Sequence, residues 1–382
     1  MIICEPECVG FAHEEVNAGI IGQLLKAGGD GDNLLVVERQ HLSCIRTIWS
    51  SRAYSSQDFS SRFIKPRRKL WDFRPLKILY LRWLSGTLLK EAERRGTPLV
   101  FLSVSTELFM VLHQLSPAFE NVNIIIVNHG ILEQLVKEEP VGKADTNRWF
   151  GTWFFRKNRM LNNLIISPHI AQNLRDDFGD RLPSVSSIHH PSVWMDIEAD
   201  RSASSPVHFA TIGKMGKRKG EEELVRLFDR LKGKPLPFLI TILGYLAYST
   251  EDERITIYNR RLSREEISRE SAMADYFILP FRKDSYRYMV SGVLFDAFNY
   301  GKPVIALSCS LMDYYFSAFG DIGYLCRDEE ELYNTISSLS ADFPVERYKT
   351  QVQIIMKARK MMDKENETVL AGLLNNSFQD EQ

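Results

Sequence analysis

The chain has 382 residues, of which 44% are hydrophobic and 25% charged, a composition typical of globular proteins rather than disordered ones. Its formal net charge of -1 argues against a nucleic-acid-binding protein, which usually carries a basic excess. The length predicts two ordinary domains, each large enough to bury its own core.

The five cysteines are scattered along the chain and do not form a disulfide pattern. We expect all of them to be free thiols in a reducing cytosol. No segment reaches the roughly 18 apolar residues of a membrane span, and the N-terminus lacks the basic and apolar regions of a signal peptide. We therefore expect a cytoplasmic protein that meets the membrane at most at its inner face.

In the first half of the chain, short apolar runs alternate with amphipathic stretches. The runs predict buried parallel strands at 34–37, 99–104, 122–127 and 163–167. Helical patterns lie at 16–26 and 106–115. This alternation is typical of an open, doubly wound parallel sheet.

A second series of elements follows an acidic, Ser-rich stretch at 196–206, which we interpret as a linker. Strands are predicted at 207–213, 238–244, 255–258, 276–280 and 303–307, and helices at 220–232, 263–273 and 292–300. The fold class is therefore α/β, with two Rossmann-like domains. We assign residues 1–198 to the first domain, 199–350 to the second, and 351–382 to a C-terminal helix that packs back towards the first domain.

A loop rich in glycine and lysine follows the strand at 207–213. It runs from Gly213 to Gly220, includes Lys214 and Lys219, and precedes a helix. Glycines let the backbone turn and approach a ligand, a helix N-terminus favours an anion, and the lysines add positive charge. The loop is suited to holding a diphosphate; the alternative is a solvated basic loop.

A second helix N-terminus lies at Ser291-Gly292, after the strand at 276–280. The backbone amides of these residues are candidates for phosphate binding. Asp296 lies about one helical turn further on, where its carboxylate would face a ligand and accept hydrogen bonds from ribose hydroxyls. The alternative role for Asp296 is a favourable interaction with the helix dipole.

These segments resemble those of GT-B glycosyltransferases, and most closely those of glycosyltransferase family 4. The family carries Gly-Arg-x(4)-Lys-Gly after the first strand of its second domain; Gly213-Lys214 and Lys219-Gly220 have the same spacing. Its Glu-x(7)-Glu segment, followed by Ala and Gly-x-Pro-Val-Ile, resembles Asp296-Ala297 and Gly301–Ile305. The resemblance implies two domains that face a cleft, a donor diphosphate on Lys214 and Lys219, and a ribose on Asp296.

The first carboxylate of the paired-Glu motif is replaced here by Tyr288, which we include among the donor-binding candidates. Asp284 lies four residues earlier and is the other acidic candidate. The resemblance is to an enzyme that binds no metal, since cations and helix N-termini neutralise the diphosphate, so we expect no metal and no cofactor. The retaining or inverting outcome stays open.

The first domain supplies the catalytic candidates. The resemblance implies that His129, at the end of the strand at 122–127, contacts the donor sugar. His13 and Glu14, at the start of the helix at 16–26, are candidates for a general base if the enzyme inverts. Glu14 and the following Glu15 could equally be an ordinary acidic helix start. The paired His189 and His190 have no third ligand at useful spacing, which argues against a metal site.

A basic and aromatic stretch at 62–83 has two interpretations. It lies on an anionic membrane surface, where it meets a lipid-linked acceptor, or it is a helix packed on the core with its long cationic side chains reaching solvent. We favour the first. The stretch from Arg148 to Lys157 adds a second basic and aromatic patch in the same domain.

The sequence thus predicts a glycosyltransferase that moves a sugar from a UDP- or GDP-sugar to a saccharide acceptor, carried on a polyprenyl lipid, in surface polysaccharide assembly. No nucleic acid is expected as a partner. Two alternatives stay open: a nucleotide-sugar epimerase on the same fold, and a non-catalytic nucleotide-sugar-binding protein with a degenerate site.

Overall fold

The computed structural model describes residues 1–29, 31–55, 58–65, 73–135, 146–196 and 206–375. These residues form two compact units. Unit 1 comprises Met1–Val193, Tyr288–Val290 and the chain from Met362 onwards, and unit 2 comprises Trp194–Arg287 and Ser291–Met361. The predicted linker falls largely in 197–205, outside the described residues.

Unit 1 is built on a seven-stranded sheet in the order β3-β2-β1-β4-β5-β6-β7, with every neighbouring pair parallel. Its strands are β1 (Ile2–Cys4), β2 (Leu34–Glu38), β3 (Ser60–Ile64), β4 (Leu99–Phe101), β5 (Ile124–Asn128), β6 (Leu161–Ile166) and β7 (Val185–Ile188). The chain winds outwards from β1 in one direction and from β4 in the other. Loops after β1 and β4 therefore flank the point where the strand order reverses, which is where open α/β sheets bind ligands.

The helices of unit 1 cover the sheet and shield its apolar strands. They are α1 (Glu14–Gly28), α2 (Arg39–Ser51), α3 (Arg74–Arg95), α4 (Thr106–Leu115), α5 (Thr146–Phe154) and α6 (Pro168–Phe178). Local chemistry marks their starts: Glu38 accepts hydrogen bonds from the first amides of α2, and Ser105 does the same for α4. Proline in the first turn of α3 and of α6 fits the free amide positions there.

Unit 2 repeats the same winding on a six-stranded parallel sheet in the order β10-β9-β8-β11-β12-β13. Its strands are β8 (Val207–Lys214), β9 (Phe238–Tyr245), β10 (Ile255–Ile257), β11 (Tyr276–Leu279), β12 (Val304–Leu307) and β13 (Gly323–Cys326). The order reverses between β8 and β11, so the loops after these two strands mark the ligand-binding edge of this sheet.

The helices of unit 2 are α7 (Glu221–Leu231), α8 (Arg264–Met273), α9 (Gly292–Asn299), α10 (Ser310–Phe319) and α11 (Glu329–Ala341), followed by the long α12 (Val345–Leu374). Helix α12 begins in unit 2, and its residues from Met362 belong to unit 1. In unit 1 this last part is held by hydrogen bonds, such as the one from Gln23 Nε2 to Asp363 Oδ1 at 3.0 Å.

Every strand and helix predicted from the sequence is present, with most ends shifted by a few residues; the C-terminal helix predicted at 351–382 spans Val345–Leu374, and residues 376–382 lie outside the described chain. The predicted strand at 99–104 is the most shortened, because β4 ends at Phe101. The stretch at 62–83, considered as a single segment, is instead divided between the end of β3 and the first half of α3, with residues 66–72 outside the described chain.

Candidate active site

The loop after β8 is shaped by two glycines in the left-handed region. Gly213 has φ +98° and Gly220 has φ +76°. A Cβ on Gly220 would lie 1.8 Å from the carbonyl oxygen of Pro280, so this position admits no side chain while the two loops stay in place. Pro280 directly follows β11, so Gly220 lets the loop after β8 approach the end of β11 closely.

Lys219 turns back towards the sheet rather than out to solvent. Its Nζ lies 3.4 Å from the carbonyl oxygen of Ile212 and beside Gly213. Burial lowers the pKa of Lys219, and the carboxylate of Asp296 opposes that shift. Gly213, Lys219 and Asp296 therefore lie together at one edge of the sheet, whereas Lys214 is exposed at the end of β8.

Helix α9 starts at the same edge. Its N-cap, Ser291, is only 4% exposed, yet its hydroxyl neither caps the helix nor hydrogen-bonds to any group in the described chain. Gly292, the first helical residue, is exposed, and a Cβ there would meet nothing within 4 Å. A buried, unpaired hydroxyl beside the free amides of a first helical turn is suited to binding an anion.

The loop between β11 and α9 contains a strained residue that the sequence did not reveal. Tyr286 is buried with φ +62°, an uncommon conformation for a bulky side chain, and its ring packs on Phe281 with 4.5 Å between centroids. The amide of Arg282 donates to the carbonyl of Arg218 at 3.4 Å, which links this loop to the one after β8. Nothing in the residue types signals a left-handed tyrosine.

Tyr288 does not join this cluster. It belongs to unit 1, where it is 2% exposed, its ring lies 6.2 Å from that of Phe178, and its hydroxyl donates to the carboxylate of Asp177. The packing and the hydrogen bond account for this side chain, and we remove Tyr288 from the donor-binding candidates. Asp284 is exposed and lies 3.4 Å from Arg282, so it does not enter the cluster either.

In unit 1, the structure brings His13 and His129 together. His129 follows β5, and His13 is the last residue before α1, in the left-handed region at φ 52°. Their rings meet edge to face with 4.6 Å between centroids. The two residues are more than a hundred positions apart in sequence, and they meet because the carboxyl ends of parallel strands share one edge of the sheet.

Burial lowers the pKa values of the histidines in this cluster, which favours neutral imidazoles. Burial lowers the pKa of His129 to about 3, with a smaller contribution from His13, and burial likewise lowers the pKa of His190 to about 3, with His129 contributing. The pKa of His13 is also lowered by burial, although Glu5 opposes the shift. A neutral His129 can exchange hydrogen bonds with a sugar hydroxyl, but it does not carry a positive charge at neutral pH.

The acidic residues at the start of α1 have different surroundings. Glu15 is paired with Arg52 at 2.8 Å, which supports the interpretation as a structural helix start. Glu14 is half-buried beside His13 in sequence and remains a candidate for proton transfer.

Two other buried histidines of unit 1 have structural partners. His189 Nε2 lies 2.8 Å from a carboxylate oxygen of Glu365, and its backbone amide donates to Asn366. Ser167, at φ 97°, has its hydroxyl 2.6 Å from His169 Nδ1, and both side chains are buried. Across the described chain, no group of three or more His, Cys, Asp or Glu side chains is arranged to hold a metal ion.

The two basic and aromatic segments differ from one another. In α5, Phe150 and Phe154 are buried in the core of unit 1, whereas Arg156 and Lys157 just after the helix are exposed; the side chains of Arg148 and Trp149 lie outside the description. In α3, by contrast, Leu76, Leu79 and Trp83 are 41%, 62% and 64% exposed. None of the described helices combines the length and apolar character that a bilayer-spanning segment requires.

The comparisons with known proteins agree with this geometry. Residues 206–342 match the model of the family described as glycosyl transferases group 1. No curated protein matches the chain in sequence.

Solved structures with a similar fold cover nearly the whole chain. A glycosyltransferase from Rickettsia africae has a TM-score of 0.62 at 13% identity, covering 98% of each chain. Anabaena HepE in complex with UDP-glucose has 0.59 at 13% identity, covering 98% of this chain and 99% of its own. Sucrose-phosphate synthase from Thermosynechococcus elongatus has 0.55 at 15% identity, covering 96% and 99%.

The chain has the GT-B fold. The prediction of a glycosyltransferase is confirmed at this level, because residues 206–342 match the group 1 glycosyl transferase model within a chain whose fold is that of solved glycosyltransferases. The matched range includes all of the unit 2 candidates, from Gly213 through Lys219 to Ser291, Gly292 and Asp296.

Proposed function

We propose that this chain transfers a sugar from a nucleoside diphosphate donor bound in unit 2 to a saccharide acceptor bound in unit 1. The observation that carries the proposal is the juxtaposition in unit 2 of the inward-turned Lys219, the carboxylate of Asp296 and the open N-terminus of α9. A cation, a carboxylate and free amides at one sheet edge match the diphosphate and the ribose of a nucleotide sugar.

In this proposal, catalysis comes mainly from stabilisation of the leaving diphosphate. As the bond from the sugar to the diphosphate breaks, negative charge grows on the phosphate oxygens, and preorganised donors aimed at that charge lower the barrier. Lys219 supplies a positive charge, and Ser291 and Gly292 supply a hydroxyl and amides. Asp296 accepts hydrogen bonds from the ribose. No metal is required for this neutralisation.

Unit 1 supplies the contacts to the sugar and the acceptor. The neutral His129 hydrogen-bonds to the donor sugar, and His13, whose ring contacts His129, faces the acceptor. Glu14 is the proton acceptor if the reaction inverts. Within the GT-B enzymes, we propose membership of family 4 on the spacing of Gly213-Lys214 and Lys219-Gly220.

We further propose that the acceptor is lipid-linked, in surface polysaccharide assembly, and that α3 rests on the inner face of the membrane. Leu76, Leu79 and Trp83 are three and four residues apart, so they share the helix face opposite the buried Leu81 and Leu84. The segment Arg74–Trp83 carries three cations and no carboxylate; Arg74 and Lys77 pair with Glu107, which leaves the exposed Arg82 to complement an anionic lipid surface.

The membrane contact is tested by sedimentation with phosphatidylglycerol-containing vesicles. We expect the double variant Leu79→Ser/Trp83→Ser to lose binding, whereas Leu239→Ser, at an exposed leucine of unit 2, keeps it. Equal binding to purely phosphatidylcholine vesicles, or no loss in the α3 variant, would contradict the proposal.

The activity is tested with UDP, GDP, ADP and their glucose conjugates. A nucleotide that binds the native state raises its thermal stability, so a shift in melting temperature identifies the donor base. Turnover is then followed with and without oligosaccharide acceptors. Product formed only with an acceptor supports a transferase. Sugar interconversion without an acceptor would indicate an epimerase, and stabilisation without any turnover would indicate a binding protein.

A further inference from the structure

The loop between β1 and α1, residues 5–13, is built around a carboxylate that lies wholly inside unit 1. Glu5 is 0% exposed and directly follows β1. Its Oε1 accepts hydrogen bonds from the amides of Glu7 and Cys8 at 3.0 and 2.9 Å. Its Oε2 accepts from Asn17 Nδ2 at 2.9 Å and from the Ser103 hydroxyl at 2.7 Å. Four donors compensate for the loss of water around this buried group.

Asn17 extends this network to a buried histidine. Its Nδ2 also lies 2.9 Å from His41 Nε2, and His41 Nδ1 lies 2.6 Å from the carbonyl oxygen of Gly10. An amide nitrogen only donates and a carbonyl oxygen only accepts, so the His41 ring carries its proton on Nδ1. The two hydrogens of the Asn17 amide are thus divided between Glu5 and His41.

The opposite side of Gly10 is also held. Its amide donates to Glu38 Oε2 at 3.2 Å, and the same carboxylate group accepts hydrogen bonds from the first amides of α2. The loop is therefore fixed at the amides of residues 7 and 8 and at both polar groups of Gly10. It ends at His13, whose left-handed backbone, at φ 52°, has no side-chain cap to account for it. Such an outlier persists only where its surroundings determine it.

We propose that Asn17, bridging Glu5 and His41, is a positioning residue that holds His13 edge-on against His129 for the acceptor. The expected effect of Asn17 on catalysis rests on the proposed function, whereas its expected effect on the position of the His13 ring does not. This role could not be predicted from the sequence, because Glu5, Asn17, His41 and Ser103 are spread over about a hundred residues with no motif spacing.

The structural consequence is tested by NMR on the full chain labelled with 15N-histidine. We expect His41 to show the Nδ1–H tautomer, and Asn17→Ala to shift the ring signals of His13 and His129. The matched control is Asn123→Ala, which removes a buried amide at the amino end of β5, where it bonds to the Leu373 carbonyl at 2.6 Å. Unchanged His13 signals in Asn17→Ala, or an equal change in Asn123→Ala, would overturn the proposal.

The kinetic consequence is tested by a double-mutant cycle on the consumption of the glucose conjugate that the wild type uses. We expect Asn17→Ala to lower kcat by about 10- to 100-fold with unchanged nucleotide affinity, because misplaced groups lose catalysis more than binding. The variant Asn17→Ala/His13→Ala should be no slower than His13→Ala alone. Additive losses would overturn the proposal.

The two experiments distinguish failure of the proposed function from failure of the positioning role. If no glucose conjugate is consumed, the proposed function fails, while the NMR comparison still decides the positioning role. If Asn17→Ala does not fold, Ser103→Ala removes one of the four hydrogen bonds to Glu5 and gives the same comparison.

Discussion

The two sheets wind in the same order, yet the loops at their reversal points are built in different ways. In unit 2, the Gly213–Gly220 loop and the start of α9 carry the site on backbone amides, glycines and one inward lysine. In unit 1, the loop after β1 is held by side chains, with Glu5 and Asn17 at its centre. The unit 2 site comes from two short segments, 213–220 and 291–296, whereas the unit 1 loop is held by single side chains from several different elements.

The contrast shows which kinds of site can be recognised from sequence spacing. A phosphate is recognised by groups that any chain possesses, namely amides and glycine turns, so spacing alone indicates the site. The loop after β1 is held by side chains whose partners, such as Asn17 and Ser103, come from other elements of the fold. The comparison predicts that unit 2 is most sensitive to changes of backbone, and unit 1 to changes of buried hydrogen bonding.

The largest effect is expected for Gly220→Ala. The added Cβ would lie 1.8 Å from the Pro280 carbonyl, and φ is +76°. Gly233, at φ +70°, has nothing within 4 Å of its Cβ position and serves as the matched control. The left-handed backbone costs each variant about 1–2 kcal/mol, and the clash costs Gly220→Ala about 1–3 kcal/mol more. Urea denaturation measures the free energy of unfolding of both variants. Equal losses in Gly220→Ala and Gly233→Ala would contradict the close packing of the loops after β8 and β11.

The next largest effect is expected for Lys219→Met. Removing one preorganised donor to developing charge typically lowers kcat by about 100- to 1000-fold, or roughly 3 kcal/mol. Lys217→Met is the control, since Lys217 lies in the same loop but is exposed. The ratio of the two kcat values is the measurement. If the two variants lose the same activity, the loop acts only through its net charge.

Acidification is expected to destabilise unit 1 more than unit 2. Seven of the eight histidines lie in unit 1, and the pKa values of His129 and His190 are lowered to about 3. Below about pH 6.5 the unfolded chain takes up protons that the folded chain does not. The free energy of unfolding therefore decreases as the pH is lowered. The limiting slope is about 1.4 kcal/mol per pH unit for each of these two histidines, and above pH 6.5 their contribution is fully present.

Calorimetry between pH 7.5 and 5 measures this effect. The unit 2 transition is identified by the increase in its melting temperature when a nucleotide is added. The transition of unit 1 should move to lower temperature on acidification, and His190→Gln should reduce the slope. Loss of stability confined to unit 2 would be the contrary finding.

The smallest effect is expected for metal removal. Because Lys219, Ser291 and the α9 amides neutralise the diphosphate, treatment with EDTA should leave the transfer rate within about twofold of the untreated enzyme. A rate that falls on chelation and returns with added Mg²⁺ would show that these groups do not suffice.

Much of the fold could be predicted because most strands are buried on both faces and form continuous apolar runs, as β5 and β9 do. The edge strands were missed for the opposite reason. β3 reads SSRFI with four of five residues exposed, and β7 reads VSSI, so neither offers an apolar run. β13 begins with a glycine and is only four residues long.

The site residues also differ in how well they could be predicted from the sequence. Gly213, Lys219, Ser291, Gly292 and Asp296 were predicted from spacing, and the structure brings them to one edge of unit 2. Tyr288 was placed by alignment to a motif, but residue spacing does not reveal which core a loop tyrosine enters.

The most direct test of the account is a calorimetric titration of the donor nucleotide into Gly292→Pro and Gly292→Ala. Proline is tolerated at the first position of a helix, and the extended Ser291 before it, at φ -100° and ψ 121°, is compatible with a following proline. Both variants should fold, but only proline removes the amide hydrogen. We expect Gly292→Ala to bind like the wild type and Gly292→Pro to lose binding. Equal affinity of the two variants would contradict a diphosphate site at the N-terminus of α9.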